Sequence, residues 1–322
     1  MRGKKLVILD EAQSWPEVFP RLRGAIDRDR KRTGRFLLLG SVSPSLMVRV
    51  SESLAGRLSI VELTPFLWAE LNAKTQRERQ WLCGGYPDGG VLTPKRFPRW
   101  QRDYLALLSQ RDLPTWGLSA KPQTTDRFLR MLAAVHGQVW NASQVGQSMG
   151  LSYQTVNSYL DYLIGAFLIR RLPPYQANIR KRLIKSPKVY WRDSGLLHTL
   201  LNVADKHTLL SQPWVGASWE GFVIEQTIGE FASLGKNFEA YYFRTSDQYE
   251  LDLVLDLGAE LWAIEVKLSS SPGRADMARL EKTADLIGAT RRLLVSQTRK
   301  SIGDDKIASC GLSGLIDRIR HS

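Results

Sequence analysis

Residues 249–271, YELDLVLDLGAELWAIEVKLSSS, constrain this chain more than any other stretch. Two apolar-alternating runs flank Gly258-Ala259, which reads as two strands joined by a two-residue hairpin loop. That loop makes Leu257 face Glu260, so paired positions sum to 517 and Asp252 stands opposite Glu265. Lys267 lies two residues on from Glu265 and so shares its face. The other face carries Leu251, Leu253, Leu255, Trp262, Ile264, Val266 and Leu268, an expected core face. Directly opposed residues place their Cβ atoms about 4.5–5.5 Å apart, where like charges repel. Two carboxylates so placed call for a cation or a shared proton. Asp252, Glu265 and the Ile264 carbonyl offer hard oxygens suited to Mg²⁺. Lys267 is suited to orient a water or to stabilise developing negative charge. Upstream, GASWEGFVIEQ places Glu220 on an expected amphipathic helix as a further carboxylate. A solvated polar face on an edge hairpin is the alternative.

The opening of the chain has a different character. Leu6, Val7, Ile8 and Leu9 form an unbroken apolar run that ends in Asp10 and Glu11. Such a run predicts a strand buried on both faces. A parallel strand ending in Asp-Glu is how a P-loop ATPase presents its Walker B pair, Asp10 for Mg²⁺ and Glu11 for the attacking water. Val18, Leu22 and Ile26 then have helical spacing, Phe36–Leu39 is a second apolar run, and Arg57–Leu63 a weaker third. Strand, helix, strand implies a parallel sheet. Ser41, just past the second run, falls where a phosphate-sensing residue belongs. Arg57 reads either as an arginine finger or as a surface arginine. The string GxxxxGK[ST] occurs nowhere in the 322 residues. Without that loop the backbone donors and lysine that cradle phosphate are missing. The chain therefore reads as an amino-terminally truncated ATPase that is expected not to bind ATP.

The middle reads as helical. In RWQRDYLALLSQRDL, Trp100, Tyr104, Leu107 and Leu108 are expected on one inward face. From Asn141, a short helix (143–149), a turn at Gly150-Leu151-Ser152 and a second helix follow. Val156, Tyr159, Leu160 and Leu163 point inward, and Ser152 is placed to cap. AFLIRRLPPY supplies a hairpin, completing a helix-turn-helix with a wing. Tyr153, Gln154, Asn157, Ser158 and Asp161 form the outer face of the second helix. Gln154 and Asn157 are suited to base edges. Arg180, Lys181, Arg182, Lys185 and Lys188 cluster after it as candidate phosphate contacts. A purely structural connector is the alternative.

Lysine and arginine exceed the acids by 45 to 32, a net charge of +13. That balance favours a polyanionic partner, with DNA the simplest. Two distant cysteines and four scattered histidines suggest neither a disulfide framework nor zinc, which suits the cytoplasm. No apolar run approaches the ~20 residues of a membrane span.

In order, LVILDEAQ, FLLLGSVS, LAGRLSIVELTPF, GGYPD, LSYQTVNSYLDYL, KRLIKSPKVYWRDSGL, WEGFVIEQ and ELDLVLDLGAELWAIEVKLS run along the chain. In this order the chain resembles the bacterial and archaeal AAA-type ATPases that end in a domain of unknown function related to PD-(D/E)XK nucleases. The resemblance implies an α/β multidomain protein. A truncated parallel-sheet P-loop ATPase core would span 1–75, a helical lid-like region 76–135, a winged helix-turn-helix with a basic linker 136–200, and an α/β restriction-endonuclease-like domain 205–322. It implies Asp10 and Glu11 as the Walker B pair, and Glu220, Asp252, Glu265 and Lys267 as a nuclease-like site. A non-catalytic DNA- or protein-binding module with vestigial sites is the rival expectation, and a protein partner or a homo-oligomer is a further partner expectation beside DNA.

Overall fold

The computed structural model describes residues 6–12, 15–40, 53–176 and 183–322. Strands β1 (Val7–Leu9) and β2 (Phe36–Leu38) pair in parallel, with Val7 beside Phe36. Helix α1 (Val18–Asp27) crosses between them and buries Val18, Phe19 and Leu22 against Ala12 and Leu54. Leu9, Phe36 and Leu38 lean on that small core. The expected burial on both faces is not met among the described residues. Leu6, Val7, Ile8, Leu37 and Leu39 are exposed there, because the two described strands and α1 cover only one face. The third strand expected over Arg57–Leu63 does not form; Val61 is 88% and Leu63 98% exposed. A strand exists by pairing, and this segment has no ladder partner among the described residues.

Helices α2 (Lys74–Cys83), α3 (Arg99–Leu107), α4 (Pro122–Ala134), α5 (Ala142–Met149) and α6 (Tyr153–Gly165) follow. Around Leu105, Phe128, Leu132, Val145, Val156, Leu160 and Leu163, α3 to α6 share one core, while α2 puts Trp81 into the core of the carboxyl-terminal sheet and Cys83 beside Leu71 and Val91. Of the face expected inward, Leu108, just past α3, is buried in this core and Tyr104 packs against it, but Leu107 is exposed and α3 turns Gln101 and Leu105 inward instead. Gln101 Nε2 donates to the Cys83 carbonyl at 2.9 Å, which a leucine there could not do. Trp100 and Tyr104 stack on each other, ring centroids 5.0 Å apart. Gly150 ends α5 at φ +71°, a conformation that favours glycine. Ser152 Oγ accepts from Thr155 N at 3.1 Å and so caps α6.

Strands β3 (Ile169–Leu172) and β4 (Lys188–Trp191) form an antiparallel ribbon. Alternation along it serves two cores at once. Ile169, Val189 and Trp191 enter the helical core, while Leu172 and Tyr190 enter the core of the carboxyl-terminal sheet. Helices α7 (Ser194–Leu200) and α8 (Lys206–Leu210) lead on to α9 (Val215–Ser233). Helix α9 is buried around nearly its whole circumference, from Trp219 through Phe231, so it is not the amphipathic helix expected.

The large sheet runs β5 (Glu239–Arg244), β6 (Glu250–Asp256), β7 (Leu261–Val266), β8 (Arg291–Ser296), β10 (Ile307–Gly311) and β9 (Ile302–Gly303) in spatial order. Strands β7, β8 and β10 are mutually parallel and the other pairs antiparallel. Helix α9 and α11 (Leu312–His321) cover one face, and α10 (Arg274–Ile287) covers the other. The chain is thus an α/β protein with a small parallel sheet, a helical middle and a mixed six-stranded sheet. The β6–β7 hairpin lies inside that sheet and not at its edge.

Candidate nuclease-like site

The hairpin register is the one its two-residue loop dictates. Leu253 pairs with Ile264, Val254 with Ala263 and Leu255 with Trp262. On its other side β6 slips. Tyr241 pairs with Val254, but Phe243 pairs with Leu251, so Asp252 and Leu253 together stand opposite Tyr242. This is a β-bulge, a device that re-aims side chains. Leu251 joins Phe243 and Val254 in the α10-side core, not the face of Leu253 and Leu255 where strict alternation places it. Asp252 ends up buried, its Oδ2 accepting from Val266 N at 2.8 Å.

Around it lies a group drawn from three elements. Glu220 projects from α9, Lys188 from the start of β4, and Glu250 from the start of β6. Lys188 Nζ is 2.8 Å from Glu250 Oε1, 3.0 Å from Glu220 Oε1 and 4.0 Å from Asp252 Oδ1. Tyr190 donates its hydroxyl to Glu220 Oε1 at 2.5 Å. Lys267 Nζ donates to Glu265 Oε1 at 2.5 Å. Glu265 Oε2 is buried and has no hydrogen-bond partner among the described residues. Lys188 is only 3% exposed, so it does not belong to the surface phosphate cluster in which its sequence neighbours place it. Its burial needs β4, α9 and β6 together, and no local pattern signals that.

Burial raises the pKa of Asp252, and Glu220 and Glu265 push it further, with Lys188 and the Val266 N–H opposing. Burial raises that of Glu265 too, against Lys267 and with help from Glu220 and Glu250. Burial disfavours the Lys188 ammonium, yet Glu220, Tyr190, Asp252 and Glu250 hold its pKa well above the usual lysine range. The charges of Glu220, Glu265 and Lys188 thus act on Asp252, and those of Lys267, Glu220 and Glu250 on Glu265. Among the described residues, no group of three or more His, Cys, Asp or Glu side chains is arranged so that it could hold a metal ion as it stands.

Two further motifs are tied together nearby. Asp193 caps α7 by accepting from Leu196 N at 2.9 Å and also accepts from Gly85 N at 2.8 Å. Burial pushes its pKa up to about 6, although those backbone donors pull it down. A Cβ on Gly84 would lie 2.2 Å from Asp193 Oδ1. GGYPD and WRDSGL are thus two halves of one lock. Beside it, buried Glu225 of α9 accepts from Arg170 Nη2 at 2.9 Å and Arg192 Nε at 3.0 Å, and Arg192 also pairs with Glu62.

At the amino end, Asp10 and Glu11 are exposed past β1, and Asp10 Oδ1 accepts from Glu11 N at 3.0 Å. Glu11 has φ +49°. Arg57 is bound to Asp27, Nε to Oδ1 at 2.8 Å. Ser41, Arg180, Lys181 and Arg182 lie outside the described residues. Gln154 is exposed on α6, whereas Asn157 is half-buried and its Oδ1 accepts from Trp140 Nε1 at 2.8 Å. Among the described residues, no helix is long and apolar enough to cross a membrane.

An AAA domain matches residues 1–72, a domain of unknown function (DUF8612) residues 74–207, and another (DUF4143) residues 215–312. The chain is therefore an AAA-domain-containing protein with two appended domains. It belongs to the same family as uncharacterized protein Rv2008c of Mycobacterium tuberculosis and uncharacterized protein Mb2031c of Mycobacterium bovis. Each is 37% identical over 314 residues, covering 95% of this chain and 70% of the relative. The crystal structure of protein VC1899 from Vibrio cholerae is similar at 12% identity, covering 96% of this chain and 80% of that one, with a TM-score of 0.25.

Proposed function

We propose that this is a nucleic-acid-directed, AAA-type ATPase-like protein whose carboxyl-terminal sheet is nuclease-like and takes a divalent cation. The observation that carries this reading is the buried, unpartnered Glu265 Oε2 beside Asp252, Glu220 and Lys267. A hard-oxygen set with one flanking ammonium suits Mg²⁺ or Mn²⁺. Such an ion, when bound, supplies Lewis-acid activation for phosphodiester hydrolysis. Asp252 and Glu265 would hold it, Glu220 would add a third carboxylate, and Lys267 would orient the water. The helix-turn-helix and its wing would position DNA, helped by the net positive charge. No phosphate-binding loop stands among these 322 residues, so we propose that this chain does not itself hydrolyse ATP.

The second reading is a non-catalytic DNA- or protein-binding module. It is favoured by Lys188, which already neutralises the carboxylates. Nicking of supercoiled plasmid separates the two. With Mn²⁺, wild type should nick and Asp252→Asn should not. If wild type neither nicks nor gains thermal stability from Mg²⁺ or Mn²⁺, the non-catalytic module is the better account.

A further inference from the structure

Lys188 is the one cation of the acidic group that the nuclease-like reading leaves unused. Its ammonium has three donors and no acceptor. Two of its neighbours are carboxylate oxygens at hydrogen-bonding distance, Glu250 Oε1 at 2.8 Å and Glu220 Oε1 at 3.0 Å. Asp252 Oδ1 follows at 4.0 Å. The Tyr242 ring lies beneath the ammonium, its centroid 5.6 Å away. Glu220 Oε1 is engaged twice, by Lys188 and by the Tyr190 hydroxyl. Glu265 is arranged in the opposite way. One oxygen meets Lys267, and the other is buried without a partner among the described residues. The group therefore holds a satisfied side, neutralised from within the chain, and an unsatisfied side. Of the carboxylates proposed for a divalent ion, Glu220 shares its Oε1 with the ammonium and Asp252 Oδ1 lies 4.0 Å from it, and hard oxygens of this kind suit the ion as well. Two cations sharing those oxygens would repel strongly in so buried a place.

We propose that Lys188 is a tethered cation occupying the cation position of this site, and that a divalent ion enters only by displacing its ammonium from Glu220 and Asp252. The proposal rests on the metal-site reading above and adds its regulation. In the resting chain Lys188 keeps the carboxylates neutralised and the fold intact. Loading the site with metal moves the side chain outward, and the metal takes over the charge balance. Lys188 is thus a positioning residue that sets metal affinity, not a group that touches substrate.

The test uses the full 322-residue chain and Mn²⁺ alone, by isothermal titration and thermal melts. Wild type is compared with Lys188→Met and Lys188→Gln. Both variants should melt lower without metal, recover with it, and bind Mn²⁺ roughly tenfold or more tightly than wild type. Adding Glu265→Gln to Lys188→Met should remove the gain. Uptake by the variants alone, with none by wild type, overturns displacement, because the ammonium then holds its position against the ion. Equal affinity in wild type and variants overturns displacement and leaves the metal site standing. No uptake by any of the three overturns both. A gain that survives Glu265→Gln lies elsewhere and overturns the proposal. If both variants are unfolded, restoration by Mn²⁺ supports it and failure of Mn²⁺ to restore them overturns it.

Discussion

Gly195 lies so close to Cys83 that a Cβ on it would stand 2.1 Å from the Cys83 carbonyl oxygen. The obstacle is backbone, which cannot swing aside as a side-chain tip can. Helix α7 and the end of α2 approach this closely because residue 195 has no side chain. Gly195→Ala should therefore destabilise the protein by about 3 kcal/mol. Urea unfolding of the variant, with an unchanged m-value, measures this; a loss below about 0.5 kcal/mol would mean the two backbones separate freely.

Asp193, next to that glycine, should make stability depend on pH in an unusual direction. Its folded pKa is raised from 3.8 to about 6, first by burial. The fold therefore binds the proton more tightly than the unfolded chain does. The resulting stability is full below pH ~4 and is lost as pH rises through about 6. Asp193→Asn cannot titrate. The advantage of wild type over this variant should shrink by about 3 kcal/mol between pH 4 and 7. Paired denaturant titrations across that range measure the gap, and a constant gap counts against a raised pKa.

Glu225 should behave in the opposite sense. Burial pushes its pKa up, but Arg170 and Arg192 outweigh burial and hold it below 4.5. Its contribution is present above the ordinary glutamate pKa and is lost as pH falls through the folded value. Glu225→Gln leaves two arginines facing a neutral amide in a buried place. The expected cost at pH 7 is about 3 kcal/mol or more, since breaking a buried pair strands its partners. The wild-type advantage should decline only in acid, which calorimetry at pH 3 to 7 follows.

Binding to a DNA duplex should separate three kinds of residue. Neutralising Arg180, Lys181 and Arg182 together should flatten the slope of log affinity against log salt by about 3, if each meets a phosphate. Gln154→Ala should weaken binding without changing that slope. Asn157→Ala should instead cost about 1 kcal/mol of folding stability, because Trp140 Nε1 loses its acceptor. Fluorescence anisotropy across a salt series, beside melts of the same variants, distinguishes them.

What could be read from the sequence was set by neighbours in the chain. The loop Gly258-Ala259 fixes the β6–β7 register because hairpin loops act locally. The turn at Gly150 and the cap at Ser152 are legible for the same reason. The bulge at Asp252 depends on β5, whose pairing with β6 no local pattern encodes. Lys188 looks like one more basic residue until β4 is laid against α9 and β6. An apolar run such as Leu6–Leu9 announces a strand, but its burial depends on what else covers it.

The ribbon of β3 and β4 has a mechanical meaning. Trp191 is seated among the helices, and Lys188, three residues earlier on the same strand, is seated among the carboxylates. A strand rises about 3.3 Å per residue, so the two anchors are about 10 Å apart on one stiff rod. The strand that packs against the helices is thus the same strand that carries the ammonium, with no loop between the two anchors. Severing the chain after the ribbon would leave the carboxylates without their inherited counter-charge.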